Sequence, residues 1–181
     1  MSDPIPPIPV TGLEVSPGGT AAGASILVVD DNEQNLELLQ AYLEELQSDV
    51  RVAYDGVEAL RLVEERQPDV ILLDVMMPKM SGFQACAKLK GNPATRDIPI
   101  IMVTALNEIS DVERAVESGA DDFLTKPVNK IELTARVRTQ LKVRLLKRQL
   151  DRTMDQVRKL QGRPPGSGGG RGAQAPDTQQ D

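Results

Sequence analysis

Asp30, Asp31, Asp74, Thr104 and Lys126 are the residues of this chain whose types could do chemistry together. Two carboxylates brought to about 4 Å repel by on the order of 4 kcal/mol at an effective dielectric near 20. A hard divalent cation with oxygen ligands removes that cost. Mg²⁺ suits the set, being held typically by one or two carboxylates with phosphate and waters. A carboxylate can also act as a nucleophile and accept a phosphoryl group, giving an aspartyl phosphate. That transfer needs charge neutralised on the phosphoryl oxygens, which a metal and a lysine supply. A threonine hydroxyl can donate a hydrogen bond to one of those oxygens. The chain has no histidine and a single cysteine, Cys86. A Ser-His-Asp triad, a His-ligated metal and a cysteine-rich zinc site are therefore excluded, and the lone thiol fits a reducing compartment.

These five residues need elements to bring them together. Short β-branched runs stand at Ile26–Val29, Val50–Ala53, Val70–Leu73, Ile98–Val103 and Phe123–Leu124. Helical patterns lie between them. The first repeats Leu36, Leu39, Leu43 and Leu46; the next has Val57, Leu60 and Val63, ending before Pro68. A third covers about Phe83–Lys90, a fourth about Ser110–Ser118, and a fifth starts near Asn129. Strict strand–helix alternation predicts an α/β fold, a doubly wound parallel sheet with helices on both faces. The strands read as continuously apolar, as burial on both faces requires. Aromatics are 2% of the chain, so the core is expected to be aliphatic.

Ligands of such sheets bind at the carboxyl ends of the strands. Asp30-Asp31 follow the first strand, Asp74 the third, Thr104 the fourth and Lys126-Pro127 the fifth, all on one rim. Singly, each has a plain structural explanation. Asp30, Asp31 and Asn32 could cap the first helix, Asp74 could be a turn residue, Thr104 a cap and Lys126 a solvated lysine. Jointly that explanation is weaker, because three carboxylates converge with no histidine or arginine beside them.

The segments ILVVDDNEQN, LLDVMMPKMSG, IIMVTA and FLTKP stand in the order and spacing of bacterial response regulator receiver domains. The chain resembles that family from about Ser25 to Arg138. The resemblance implies a flavodoxin-like, five-stranded parallel sheet of order 2-1-3-4-5. It implies Asp74 as phosphoacceptor, Asp31 as a direct Mg²⁺ ligand, Asp30 as a ligand acting through water, and the Met76 carbonyl as the backbone ligand. Lys126 would bridge the phosphoryl group, with Pro127 in cis. Thr104 would report the phosphorylated state and Phe123 would swing inward as Thr104 engages. Gly82 matches the family's glycine after the phosphoacceptor loop.

Two positions tune lifetime within such a family, and here they are Met76 and Leu106. Both are apolar and are expected to crowd the path of water to the acyl phosphate, giving at most slow self-dephosphorylation. Phosphatases of the haloacid-dehalogenase type need a second acid where this chain has Met76. A flavodoxin-like cofactor binder needs a phosphate cradle where Asp30-Asp31 would repel phosphate. No P-loop motif occurs.

Net charge is −6, unevenly spread: residues 1–128 carry 22 acidic and 9 basic side chains, residues 129–163 carry 3 and 11. From Asn129 to Gln161 no proline or glycine occurs, so a long basic helix is expected. Within it Val143, Leu146, Leu150, Thr153, Val157 and Leu160 step 3-4-3-4-3, a short heptad seam that could pair two copies. The expected organisation is a disordered tail at 1–24, a receiver domain at 25–138, a helical extension at 139–161 and a disordered Gly/Pro-rich tail at 162–181. The N-terminus lacks a signal-peptide pattern, and no apolar run approaches the roughly 20 residues of a membrane span.

The reading is of an effector-less, cytoplasmic response regulator. A sensor histidine kinase or phosphotransfer protein would phosphorylate Asp74, and output would pass by protein–protein contact. Phosphorylation would act by population shift, altering the fourth helix, fifth strand and start of the fifth helix. The alternatives are a pseudo-receiver acting without phosphorylation, and a dimer that contacts membrane or nucleic acid through its basic helix. For nucleic acid neither stacking aromatics nor a helix-turn-helix signal speaks.

Overall fold

The five β-branched runs form five parallel strands in the order β2-β1-β3-β4-β5. They are β1 (Ser25–Val29), β2 (Asp49–Ala53), β3 (Val70–Asp74), β4 (Ile100–Thr104) and β5 (Asp122–Thr125). The structure is a computed structural model that describes residues 23–105, 113–114 and 116–161. The helices are α1 (Glu33–Leu43), continued by a 3-10 turn at Glu44–Leu46, α2 (Gly56–Glu65), α3 (Gly82–Gly91) and α4 (Lys130–Gln161). Of the fourth predicted helix, Glu113, Arg114, Val116 and Glu117 are helical. Its positions 110–112 and 115 lie outside the described residues, as do Leu106 and the tail residues 1–22 and 162–181.

Strand β4 begins two residues later than the apolar run predicts. Pro99 interrupts that run and has no N–H to give the ladder, although Ile98 before it is fully buried.

Alternation along the strands divides the core into two aliphatic layers. Leu27, Val29, Ile71 and Leu73 face α2 and α3, meeting Ala59, Val63, Ala85 and Leu89. Ile26, Val28, Val70 and Leu72 face the other way, onto Leu36, Leu39 and Leu43 of α1 and Leu133 and Val137 of α4. Every residue of β3 and β4 is buried, which is the reason those strands read as unbroken apolar runs.

Polar side chains start the helices just past the strand ends. Asn32 accepts from the Asn35 N–H, Asp55 from Glu58, and Ser81 forms a capping box with Gln84. The Asn129 side chain accepts from the N–H groups of Ile131 and Glu132 at the start of α4. Each cap satisfies backbone donors that the first turn cannot pair internally.

The chain divides into two compact units, residues 1–145 and 146–181. The first contains the sheet and its covering helices. Near its end Arg144 is buried, and its guanidinium donates to the Asp97 carbonyl at 2.8 Å. The described part of the second unit is helical, with Leu146, Leu150, Met154, Val157 and Leu160 exposed.

One glycine is dictated by close approach. The Gly82 N–H donates to the Val75 carbonyl at 2.9 Å, and a Cβ at Gly82 would lie 2.1 Å from the Asp74 carbonyl oxygen. Gly82→Ala is expected to destabilise the first unit by about 2 kcal/mol or more through this backbone clash. Urea unfolding checks it, and a loss under about 0.5 kcal/mol, within the range of an ordinary surface change, would contradict the turn geometry.

Candidate functional site

Parallel strands put their carboxyl ends on one rim, and β1 and β3 are neighbours at the centre of the sheet. Asp30 leaves β1 there, 1% exposed, its N–H donating to the Ala53 carbonyl at 3.2 Å. Its carboxylate accepts from the Asn32 N–H at 2.8 Å and from the Asn35 amide at 3.1 and 3.2 Å. Asp74 is the last residue of β3 and is 4% exposed. Asp31 faces solvent. One carboxylate oxygen from each of the three aspartates lies within 4.8 Å of the others.

Lys126 closes the cluster from beyond β5. Its ammonium lies 2.8 Å from Asp74 Oδ1 and 3.0 Å from Asp30 Oδ2. Its own backbone is tied down: the Lys126 N–H donates to the Thr104 carbonyl at 2.7 Å. The Lys126-Pro127 peptide is cis. Thr104 ends β4, buried, in register with Thr125 of β5.

The electrostatics follow from this crowding. Burial pushes the Asp74 carboxyl above its ordinary range, against the pull of Lys126, and the charges of Asp30 and Asp31 add to the rise. Burial alone would lower Lys126, but its hydrogen bonds to Asp74 and Asp30 outweigh that and hold the ammonium above its usual value. Lys126 is therefore charged throughout the neutral range.

The structure thus joins Asp30, Asp31, Asp74 and Lys126 in one cluster, with Thr104 at the end of the adjoining strand. Pro127 follows Lys126. Two predicted residues have exposed side chains. Phe123 lies within β5, paired with Met102 and 38% exposed. Met76 lies in the loop after β3 with a side chain 63% exposed. Asn35 is the residue that sequence reasoning missed. Its amide holds both oxygens of Asp30, and the available signal was an asparagine in the first helical turn after an acidic pair.

Three carboxylates against one ammonium leave a formal excess of two negative charges, and the donors are hard oxygens with Asp31 open to solvent. That set fits a hard cation such as Mg²⁺.

Raised acid pKa values lower stability where the unfolded chain ionises first. The penalty is absent at a pH where Asp74 is protonated in both states, and it opens as pH rises through the ordinary carboxylate range. Asp74→Asn, measured by urea unfolding without divalent ions, is therefore expected to exceed the native chain in stability at neutral pH. Its advantage should shrink toward pH 3. Added Mg²⁺ should stabilise the native chain more than the variant. An Asp74→Asn protein less stable than native at neutral pH would refute the buried-charge account.

The family described as the response regulator receiver domain matches residues 26–138. The response regulator PleD of Caulobacter vibrioides is 50% identical over 123 residues, covering 68% of this chain and 27% of PleD. The chain spans about half or less of the length of the first curated relatives it matches. Among solved structures, a signal receiver domain of a histidine kinase from Syntrophus aciditrophicus is 40% identical. It covers 66% of this chain and 91% of its own, with a TM-score of 0.63. The receiver domain of sensor histidine kinase PA1611 from Pseudomonas aeruginosa, described with a magnesium ion coordinated in its active-site cleft, is 32% identical. It covers 67% of this chain and 99% of its own, also at a TM-score of 0.63.

Proposed function

Because the chain belongs to the response regulator receiver domain family of two-component signalling, we propose that Asp74 accepts a phosphoryl group from a histidine kinase or phosphotransfer protein. The observation that carries this reading is the Lys126 ammonium bridging Asp74 and Asp30 inside the three-carboxylate cluster. Asp74 is thereby a nucleophile with its counter-charge already in place.

In this mechanism an Asp74 carboxylate oxygen attacks the donor's phosphorus. The new O–P bond forms as the bond to the donor's leaving group breaks. Lys126 faces the incoming phosphoryl oxygens and neutralises charge there, while Asn32 and Asn35 hold Asp30 in position. Asp30, Asp31 and Asp74, with the Met76 carbonyl, would hold Mg²⁺, which when bound supplies further neutralisation of the phosphoryl oxygens. The Thr104 hydroxyl then donates to a phosphoryl oxygen, and Phe123 moves inward from its exposed position. The states differ by one new charge-assisted hydrogen bond, enough to bias an equilibrium already sampled at rest. The surface that changes includes the helical residues Glu113, Arg114, Val116 and Glu117, β5 and the start of α4. There Val116, Phe123 and Ile131 are exposed.

Output passes by protein contact, and the location is cytoplasmic. No helix among the described residues is long and apolar enough to cross a membrane. Met76 shields the acyl phosphate from water and makes self-dephosphorylation slow. A second reading concerns the basic helix. Its seam from Val143 to Leu160 is largely exposed apolar surface, which favours pairing with a second copy over a membrane or nucleic acid.

Incubation with acetyl phosphate and Mg²⁺ should add one phosphoryl group to the native chain and none to Asp74→Asn, read by intact mass. Lys126→Ala should slow the gain on the order of 10²-fold, as removal of a preorganised charge does. A lifetime of seconds would count against the shielding role of Met76, and no gain under any Mg²⁺ condition would leave a pseudo-receiver.

Light scattering on the eluting protein checks the helix separately. The native chain should run as a dimer, and Leu150→Glu with Val157→Glu as a monomer. A monomer at all concentrations, phosphorylated or not, would end the pairing idea.

A further inference from the structure

The loop of residues 75–81 joins the phosphoacceptor strand to α3, and it is fastened at both ends of its span. At its base the Gly82 N–H closes on the Val75 carbonyl. At its tip Lys79 reaches the start of α2, its ammonium 3.0 Å from Asp55 Oδ2. Beside that pair the Met80 side chain lies against Gly56, where a Cβ would come within 3.0 Å of Met80 Cγ.

Lys79 holds φ at +65°. Side chains are disfavoured in that region and glycine enters it freely. A glycine would satisfy the backbone better, yet the position carries a lysine whose ammonium grips Asp55. Asp55 is a firm anchor: its side chain is 19% exposed and accepts from the Glu58 N–H as the cap of α2. That backbone bond and Lys79 hold its carboxyl below the usual range.

We infer that Lys79 and Asp55 are a positioning pair, a latch that fixes loop 75–81, the segment that carries the proposed Met76 carbonyl ligand. The inference rests on reading the aspartate cluster as a Mg²⁺ site. Neither residue touches the reacting atoms. An exposed ion pair adds little to global stability, so the latch acts on the loop and leaves the fold as it is.

Charge alone makes a different prediction from the latch. As a bare positive charge near the site, Lys79 would weaken Mg²⁺ binding and its removal would strengthen it. As a bare negative charge, Asp55 would do the reverse. The latch requires both removals to weaken binding.

The test is calorimetric titration of Mg²⁺ alone into the full chain, comparing native, Lys79→Gly, Asp55→Asn and Lys79→Arg. Asparagine is as good a helix cap as aspartate, so Asp55→Asn keeps α2. Lys79→Gly and Asp55→Asn should each weaken Mg²⁺ by about two- to five-fold at low ionic strength, the range an exposed pair can contribute. Lys79→Arg should bind as native. The unfolding midpoint of Lys79→Gly should stay level or rise, because glycine relieves the backbone, and that opposite movement separates positioning from stability. The deficits should shrink at high salt as the pair is screened. Tighter binding by Lys79→Gly with weaker binding by Asp55→Asn would overturn the latch in favour of a plain field effect, and unchanged binding in both would overturn it outright. A native chain that binds no Mg²⁺ would overturn the site reading and the latch together.

Discussion

Everything at the working rim follows from one electrostatic constraint. Three aspartates share a space in which one oxygen of each lies within 4.8 Å of the others, and one lysine holds two of them in place. Sheet order makes that possible. With β1 and β3 adjacent, the Asp30 and Asp74 backbones emerge side by side. Lys126 comes from beyond β5, two strands away from β3, and its side chain spans β4 to reach them. The hydrogen bond from the Lys126 N–H to the Thr104 carbonyl makes that reach definite, because it ties the lysine backbone to the end of the strand it crosses.

Such a crowd of charge needs a rigid base. β3 and β4 are buried along their whole length, and each side of the sheet is sealed by its own aliphatic layer. Close-packed interiors of this kind shift little in response to a local change. The caps at Asn32, Asp55 and Ser81 lie at the helix starts that follow β1, β2 and β3. The same end of the fold that concentrates negative side chains therefore also presents the positive ends of three helix dipoles. The acidic cluster is a local excess of charge on a scaffold partly biased to receive it.

Much of this was legible in the sequence, for reasons that differ from residue to residue. Asp30, Asp31, Asp74 and Lys126 could be placed because parallel topology turns "end of a strand" into a single location. The long helix could be read because nothing from Lys130 to Gln161 breaks it. The start of β4 could not be placed by hydrophobicity, since Ile98 is as buried as the strand while Pro99 bars it from the ladder. Asn35 was missed because its role depends on a contact across the first turn of α1. The backbone of Lys79 was illegible as well, a positive φ at a lysine having no signature in composition or period. Phe123 was identified by resemblance, while its outward exposure could come only from coordinates.

The purely aliphatic core has an optical consequence. The chain has no tryptophan, two tyrosines and two phenylalanines, and none of these four rings belongs to the fully buried set. Tyr42 and Phe83 sit at the margins of the two layers, Phe123 faces outward, and Tyr54 is half exposed next to Asp55. Near-ultraviolet light therefore registers this protein from the edges of its core and from its surface. Of the two tyrosines, Tyr42 reports on the layer beneath α1 and α4, while Tyr54 reports on the rim beside Asp55.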